Sequence, residues 1–185
     1  MLITITGKAG SGKSTAAKAL AERLGYEYIS IGSMRRIVAE KMGLNILEFN
    51  ELGERPENQK EFDLKYEEYQ KSLDPTSKIV LESRLGFFCQ PKSFKIFLTV
   101  DEESAAKRIF NNKRSTDDYT SWEEVLEKTK IRDKEDVERY KELYNVDYSD
   151  FKNYDLILDT TIKNVDETVD EIIEPFNKYK KNQQK

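Results

Sequence analysis

A glycine-rich octapeptide near the start of the chain constrains the fold more than any other feature of the sequence. The string GKAGSGKS occupies positions 7–14, directly after the apolar run 2–6 and before a helix-favouring stretch that ends at Leu24. Its spacing, G-x-x-x-x-G-K-S, is the P-loop pattern, in which a strand, a phosphate-binding loop and a helix follow one another. Backbone N–H groups of such a loop and the positive end of the helix bind phosphate. We therefore expect the phosphates of a nucleotide to contact Gly7, Gly10, Ser11, Gly12, Lys13, Ser14 and Thr15.

Two side chains of the loop and one carboxylate have more specific predicted roles. We expect Lys13 to reach the β- and γ-phosphates and to act in catalysis, and the Ser14 hydroxyl to ligate the Mg²⁺ that bridges those phosphates. Glu82 ends the apolar run 78–82, which is typical of a buried parallel strand. Since ligands of open α/β sheets gather at the carboxyl ends of strands, Glu82 should lie beside the P-loop and hold Mg²⁺ through its water shell.

Composition narrows the class of protein. The chain has 185 residues, which suits one domain, and its 31 Lys and Arg against 35 Asp and Glu give a net charge of −4. That balance argues against binding to a nucleic-acid backbone. The longest apolar stretches, such as 96–100, are too short to span a bilayer, and the N-terminus lacks a signal-peptide pattern. With a single cysteine, Cys89, we expect a cytoplasmic monomer with neither nucleic-acid nor membrane partners.

Alternating strand and helix patterns predict the architecture. Five strands are expected within 2–6, 26–30, 78–82, 94–100 and 154–159, with helices between them. This order predicts an α/β, three-layer P-loop fold with a mainly parallel five-stranded sheet. We expect one domain over 1–179 and a frayed basic tail over 180–185. Two regions lie outside the alternation, a helical region at about 33–73 and a segment at about 111–145, which we name the lid region.

Capping residues predict the starts of two helices outside the core. Ser33 would open a helix that ends at Gly43, which places Arg36 in its first turn, an unfavourable position for a cation unless an anion is bound there. Ser121 would open a long helix with a capping box completed by Glu124. The polar, basic segment 111–120 between the core and this helix is typical of a mobile loop.

Several arginines exceed what a P-loop alone requires. Arg36, Arg84, Arg132 and Arg139 are all predicted near the phosphate end of the sheet or on the lid region. Guanidinium groups bind phosphate oxygens bidentately, so this set favours a second phosphorylated substrate. On the long helix, Arg132, Asp136 and Arg139 share one face by their i, i+4 and i+7 spacing. A solvent-facing ion-pair ladder is the alternative interpretation of that face.

The chain resembles the cytidylate kinases, most closely the short archaeal-type form within the nucleoside monophosphate kinases. The matching strings lie between Met1 and about Thr161 and are 7–14, 30–36, 81–85, 132–139 and 155–161. The string R-D-x-x-D-x-x-R at 132–139 is much more particular to this family than the P-loop. The resemblance implies transfer of the ATP γ-phosphoryl group to CMP or dCMP with Mg²⁺. It also implies that Arg36, Arg84, Arg132 and Arg139 contact the acceptor and transferring phosphates and that Asp136 contacts the ribose.

The chain departs from the bacterial form of that family in three places. The bacterial string G-R-D is Ser83-Arg84-Leu85 here, so the aspartate that reads cytosine in the bacterial form is missing. The lid arginine expected near position 112 is Asn112, which leaves Lys113 or Arg114 as stand-ins. The substrate insert of the bacterial form is also absent, as in the short archaeal-type form.

Base recognition must therefore come from other residues. Asp63, Glu67 and Gln70 follow an i, i+4, i+7 spacing and could meet the amino edge of cytosine, a hydrogen-bond donor that uracil lacks. Kinases acting on AMP, UMP or a hydroxyl acceptor, with Glu82 as the base, remain alternatives, as does a non-catalytic nucleotide-binding module. A regulatory GTPase is disfavoured because the nearest string to a guanine-reading motif, 129–132, breaks the required pattern.

Overall fold

Five strands form a single sheet in the computed structural model, which describes residues 1–55, 57–58, 62, 64–112 and 119–183, without the side chains of Leu47 and Glu54. The sheet order is β2-β3-β1-β4-β5, and every described strand pair is parallel. The strands are β1 Ile3–Gly7, β2 Glu27–Ser30, β3 Ile79–Glu82, β4 Phe94–Thr99 and β5 Leu156–Asp159. The predicted P-loop α/β fold is confirmed, with a sheet that is parallel throughout these pairs.

Helices cover both faces of the sheet. The bounds are α1 Lys13–Leu24, α2 Ile31–Lys41, α3 Ile46–Glu54, α4 Lys65–Ser72, α5 Gly86–Cys89, α6 Glu102–Asn111, α7 Trp122–Tyr144 and α8 Val165–Asn182. The expectation of a frayed tail from residue 180 is wrong at its start, because α8 continues to Asn182. Within the described ranges, no helix has the length and apolar character needed to cross a bilayer.

The central strand shows why the sheet is covered on both faces. All residues of β1 are buried, and side chains alternate between the two faces of a strand. Ile3 and Ile5 pack with Leu20 of α1 and Phe176 of α8 on one face. Leu2, one residue before the strand, packs on the other face in a cluster with residues of β2, β3 and α4. The fold therefore has the three predicted layers, and the P-loop emerges from the most buried strand.

The start of α2 differs from the prediction. Ser30, the last residue of β2, is the N-cap, and its hydroxyl oxygen accepts the Ser33 N–H at 3.1 Å. Strand β2 thus passes directly into α2, which begins two residues before Ser33. Arg36 consequently lies in the second turn and not in the first, so the helix-dipole argument made from sequence does not apply to it.

The start of α7 is only partly as predicted. Ser121 is the N-cap, and its hydroxyl accepts the Glu124 N–H at 3.3 Å. The Glu124 carboxylate, however, accepts from the N–H and hydroxyl of Thr120, both at 2.8 Å, so the predicted capping box is wrong. The predicted mobile loop lies largely outside the described residues, as do the possible lid cations Lys113 and Arg114.

Candidate active site

The P-loop joins β1 to α1 and is shaped by close backbone contacts. A Cβ atom at Gly7 would lie 2.4 Å from the Leu98 carbonyl oxygen, and one at Gly10 would lie 2.6 Å from the Ala105 carbonyl oxygen. Gly10 also has a φ of +74°, which side chains rarely adopt. Larger residues are therefore excluded at both positions, and the loop holds its shape against β4 and α6.

Two residues that the sequence analysis did not identify, Thr160 and Arg108, contact backbone carbonyls of the P-loop. Thr160, which is buried, donates its hydroxyl to the Ser11 carbonyl at 2.9 Å. Arg108 of α6 donates to the carbonyls of Thr160 and Thr161 at 2.7 and 3.0 Å, and its second nitrogen lies 3.5 Å from the Gly10 carbonyl. Hydrogen bonds to backbone carbonyls hold a loop without using its N–H groups. The phosphate-binding face of the loop is therefore supported by the chain segment that follows β5.

Lys13 is the first residue of α1 and lies among other charged groups. Its ammonium donates to the Lys8 carbonyl at 3.2 Å. Burial, followed by the charge of Arg84, lowers the pKa of Lys13 to about 8, although the Glu82 carboxylate acts in the opposite direction. A bound phosphate would favour the charged ammonium again, since opposite charges raise a lysine pKa. The position of Lys13 is therefore electrostatically suited to an anion.

Glu82 lies beside the P-loop at the carboxyl end of β3. One of its oxygens accepts the Ser14 hydroxyl at 2.9 Å, and the other accepts the hydroxyls of Tyr28 at 2.9 Å and Ser30 at 2.5 Å. The carboxylate is buried, with 5% of Glu82 exposed. Burial and the Glu82 charge raise the pKa of Tyr28 to about 12. Three hydroxyl donors thus hold this carboxylate in one orientation, and two of them were not identified from sequence.

The oxygen atoms of Ser14 and Glu82 fit a magnesium ion that also binds substrate phosphates. Mg²⁺ prefers oxygen ligands and is usually held by one or two carboxylates together with phosphates and waters. Among the described residues, no group of three or more His, Cys, Asp or Glu side chains could hold a metal alone. Ser14 and Glu82 would therefore hold the ion jointly with a nucleotide, and the ion would neutralise phosphate charge.

Arg84 joins the end of β3 to α7. Its guanidinium lies 2.9 Å from Asp136 and 3.5 Å from Asp133, and it donates to the Tyr148 hydroxyl at 2.6 Å. The side chain is only 16% exposed. Burial works to lower the pKa of Arg84, but the Asp136 carboxylate and neighbouring groups outweigh burial and raise it. Arg84 is therefore a partly buried, permanently charged group at the edge of the site.

The face of α7 that carries Arg132, Asp136 and Arg139 points partly into the protein. The Asp136 side chain is 16% exposed and pairs with Arg84, which follows β3, at 2.9 Å. It lies 3.9 Å from Arg132 on its own helix. The alternative of a solvent-facing ladder is therefore wrong for Asp136. The charges of Arg84 and Arg132 both act to lower the pKa of Lys13. Arg139 lies one turn beyond Asp136 and is partly buried.

Adjacent arginines of α2 have different environments. Arg35 donates to the Phe62 carbonyl and to the Asn50 side chain, and its guanidinium lies over the Tyr66 ring at 5.4 Å, so it joins α2 to α3 and α4. Arg36 lies 3.4 Å from the Ser33 hydroxyl, and its charge acts on the Tyr28 hydroxyl beside Glu82. Arg36 therefore lies in the second turn of α2, the helix that follows directly from the carboxyl end of β2.

The predicted base-reading residues are only partly described. Asp63 lies outside the described residues. Gln70 is 2% exposed, and its amide nitrogen donates to the Tyr66 carbonyl at 3.1 Å. Its amide oxygen finds no hydrogen-bond partner among the described residues. Gln90 lies alongside and donates to the Gln70 carbonyl at 2.6 Å.

Comparison with known proteins gives one family. The cytidylate kinase-like family matches residues 2–162. A protein of Halobacterium salinarum named cytidylate kinase is 36% identical over 182 residues, which cover 97% of this chain and 91% of that protein. A protein of Lacinutrix mariniflava named S-adenosylmethionine-dependent nucleotide dehydratase is 38% identical over 179 residues, which cover 95% of this chain but 36% of that protein. This chain therefore spans little more than a third of the second relative.

Solved structures agree on the fold. A shikimate kinase from Bacteroides thetaiotaomicron superposes with a TM-score of 0.67, covering 96% of this chain and 98% of that chain at 18% identity. Similarity at that level of identity establishes the shared P-loop architecture and leaves the substrate to the residues of the site.

Proposed function

The chain belongs to the cytidylate kinase-like family, and from that premise we propose that it is an ATP-dependent nucleoside monophosphate kinase whose preferred acceptors are CMP and dCMP. The observation that carries the proposal is the contact of Arg84 with Asp136 at 2.9 Å, which brings the arginine-bearing face of α7 to the strand end where Glu82 meets Ser14 of the P-loop. A module that only bound a nucleotide would need the P-loop alone. A second cationic group beside it supports a second phosphorylated substrate.

The proposed reaction needs charge neutralisation and positioning more than proton transfer. The attacking group is an oxygen of the acceptor phosphate, which is already ionised at neutral pH. Lys13, Arg132 and Arg139 would neutralise the charge that spreads over the equatorial oxygens of the transferring group. Arg36 and Arg84 would hold the acceptor phosphate in line with it. No residue of the chain is required to remove a proton.

Asp136 is proposed to bind the ribose of the acceptor. Its oxygen nearest Arg84 lies 2.9 Å from the guanidinium but has no hydrogen-bond partner among the described residues, because the N–H groups are not aligned with it. A buried acceptor of this kind gains free energy when a ligand supplies a donor. A ribose hydroxyl is such a donor, and it would reach Asp136 after α7 has moved away from the end of β3.

Gln70 and Asp63 are proposed to read the base. The hydrogen bond from the Gln70 nitrogen to Tyr66 fixes the amide orientation, so the unpaired atom is the oxygen, a hydrogen-bond acceptor. The exocyclic amino group of cytosine is a matching donor, and the corresponding position of uracil is an acceptor. This complementarity supports CMP over UMP.

The contacts of Glu82 argue against a hydroxyl acceptor. Such a substrate needs a general base within hydrogen-bond reach of the proton that is removed. Both oxygens of Glu82 already accept hydrogen bonds from hydroxyl groups, one from Ser14 and the other from Tyr28 and Ser30. The contacts of this carboxylate therefore suit a role in holding neighbouring groups and a metal ion better than a role as a general base. We propose, further, that the enzyme acts as a cytoplasmic monomer on small nucleotides, which the net charge of −4 supports over nucleic-acid binding.

The test is a coupled assay of ADP formation from Mg-ATP with CMP, dCMP, UMP, AMP and GMP, and without acceptor. We expect CMP and dCMP to give the highest kcat/KM and the acceptor-free reaction to be slow, because the lid must close to exclude water. AMP as the best acceptor would contradict the base-reading argument but leave the kinase in place. Equal ADP release with and without every acceptor would contradict the kinase itself.

A further inference from the structure

A buried tyrosine that belongs to none of the sequence motifs contacts Arg84 in two ways. The Tyr148 hydroxyl accepts a hydrogen bond from Arg84 at 2.6 Å, and the guanidinium carbon lies 5.2 Å from the centre of the Tyr148 ring. Tyr148 is 3% exposed and lies in the connection between α7 and β5. Tyr148 therefore does more than pack in the core, because its hydroxyl directly contacts a guanidinium at the edge of the site.

The surroundings of Tyr148 hold it to the core of the protein. The Tyr154 hydroxyl donates to the Tyr148 carbonyl at 2.6 Å. The ring packs in an apolar cluster with Phe87 and Phe97, which belong to α5 and β4. Tyr140 of α7 meets the ring edge-on, with centroids 5.8 Å apart. Apart from the α7 residues Val137 and Tyr140, the residues of this cluster lie in β4, α5 and the connection after α7, and they hold Tyr148 to the core.

The second terminal nitrogen of the Arg84 guanidinium, which does not bond to Tyr148, contacts carboxylates of the lid region. Asp133 and Asp136 are both on α7, and both attract the guanidinium. If α7 moves when an acceptor binds, these two partners move with the helix. A neutral hydroxyl attached to the core would keep the guanidinium in place and leave its positive charge available to a phosphate.

We propose that Tyr148 is a positioning residue for the acceptor phosphate, and that its hydroxyl holds the Arg84 guanidinium at the end of β3 when α7 moves. This inference rests on the proposed function, in which Arg84 binds the phosphate of the acceptor. Tyr148 itself touches neither substrate. Its effect passes through Arg84 alone, so it should alter the binding of the acceptor and not that of ATP.

Tyr148→Phe is the variant that tests the proposal, because it keeps the ring in its cluster and removes only the hydroxyl. We expect the KM for CMP to rise ~tenfold, since a hydrogen bond to a charged group is lost, with the KM for ATP unchanged. Tyr179→Phe is the matched control, since it removes a tyrosine hydroxyl that donates to the Ser93 backbone carbonyl at 3.4 Å, on α8 and away from Arg84 and Tyr148. It should lower Tm without changing the KM for CMP. An equal rise in that KM in both variants, or none in Tyr148→Phe, would overturn the proposal.

A coupling measurement covers the case in which Tyr148→Phe also loosens the fold. In an Arg84→Lys background, removal of the Tyr148 hydroxyl should leave the KM for CMP unchanged, because the guanidinium that it holds is gone. A further rise similar to that in the wild-type background would show that the hydroxyl acts by another route and would overturn the proposal.

Guanidinium dynamics provide a readout that needs no kinase activity. In protein labelled with ¹⁵N-arginine, NMR should show slow rotation of the Arg84 guanidinium in the wild type and in Tyr179→Phe. Rotation should be faster in Tyr148→Phe, because only one of the two held terminal nitrogens, the one paired with Asp136, keeps its partner. Unchanged rotation in Tyr148→Phe would overturn the positioning role. If the wild type transferred phosphate to no monophosphate, the proposed function would fail, while this measurement would still decide whether Tyr148 holds Arg84.

Discussion

Replacing Lys13 with methionine should make the protein more stable and inactive. The pKa of Lys13 falls from its ordinary value of 10.5 to about 8, mainly because of burial and then because of Arg84. A tenfold change in proton affinity corresponds to ~1.4 kcal/mol, so the charged ammonium costs the folded state about 3 kcal/mol at neutral pH. Partial exposure of the side chain and loss of the bond to the Lys8 carbonyl reduce the expected gain in Lys13→Met to about 1–2 kcal/mol.

The pH dependence of that gain is the distinguishing feature. Below about pH 8 both the folded and the unfolded wild-type chain bind the proton on Lys13, so the full cost is present. Between pH 8 and 10.5 the unfolded chain binds more protons than the folded one, so wild-type stability rises with pH through this window. The methionine variant lacks this titration. Its advantage should therefore be largest at neutral pH and should vanish above pH 10.5.

Urea unfolding followed by circular dichroism at neutral pH and near pH 10 measures the effect, alongside the coupled kinase assay. Turnover of Lys13→Met should fall at least ~100-fold, because a charge that acts in the transition state is lost. Lys18→Met is the control, as Lys18 is an exposed lysine of the same helix. It should change stability by no more than a few tenths of a kcal/mol and leave activity intact. A Lys13→Met protein less stable than wild type, or equally favoured at both pH values, would refute the reasoning.

Three further outcomes follow from the site. The kcat/KM for ATP should fall as pH rises through about 8, because Lys13 of the free enzyme loses its proton there. The value of kcat should stay constant to higher pH, because bound phosphates raise the pKa of Lys13. A kcat/KM that did not change up to pH 10 would contradict this. Glu82→Gln should lower the pKa of Tyr28 from about 12, measured by ultraviolet titration, and raise the Mg²⁺ concentration needed for activity. Gln70→Leu should lower the ratio of kcat/KM for CMP to kcat/KM for UMP by ~5-fold or more, because a lost base contact costs ~1–3 kcal/mol. An unchanged ratio would contradict the proposed role of Gln70.

Local patterns were sufficient for most of the fold. The P-loop spacing and the five apolar runs are short-range signals, and each predicted strand is present within two residues of its expected bounds. Helix starts were less predictable, because neighbouring residues compete for the same N–H groups. Ser30 caps α2 in place of Ser33. The Glu124 carboxylate accepts from the Thr120 N–H and not from the Ser121 N–H, as a capping box would require. Such competition between adjacent polar residues is decided by tertiary geometry, which periodicity does not describe.

The contacts that complete the site could not be predicted from sequence because they join distant segments. Tyr28 and Glu82 are 54 positions apart and meet only because β2 lies next to β3 in the sheet. Arg84 and Tyr148 are 64 positions apart and meet where the connection after α7 returns to the core. Sequence reasoning identified Glu82 and Arg84 from their place at a strand end. Sequence reasoning had no signal for Tyr28 and Tyr148, because tyrosines at such positions are equally typical of core residues.

Lys13 and Arg84 are the two partly buried cations of the site, and their charges are accommodated in different ways that suit their proposed roles. Burying a charge without a partner is unfavourable. Lys13 responds with a lowered pKa, whereas Arg84, which does not deprotonate in proteins, is stabilised by Asp136. An ATP phosphate would therefore relieve a cost at Lys13, which strengthens binding at the P-loop. An acceptor phosphate would instead have to displace Asp136 from Arg84, and the displaced carboxylate is then free to accept a ribose hydroxyl. The exchange makes the acceptor's phosphate and sugar mutually dependent for binding, so a nucleoside monophosphate should bind far better than inorganic phosphate and nucleoside added separately.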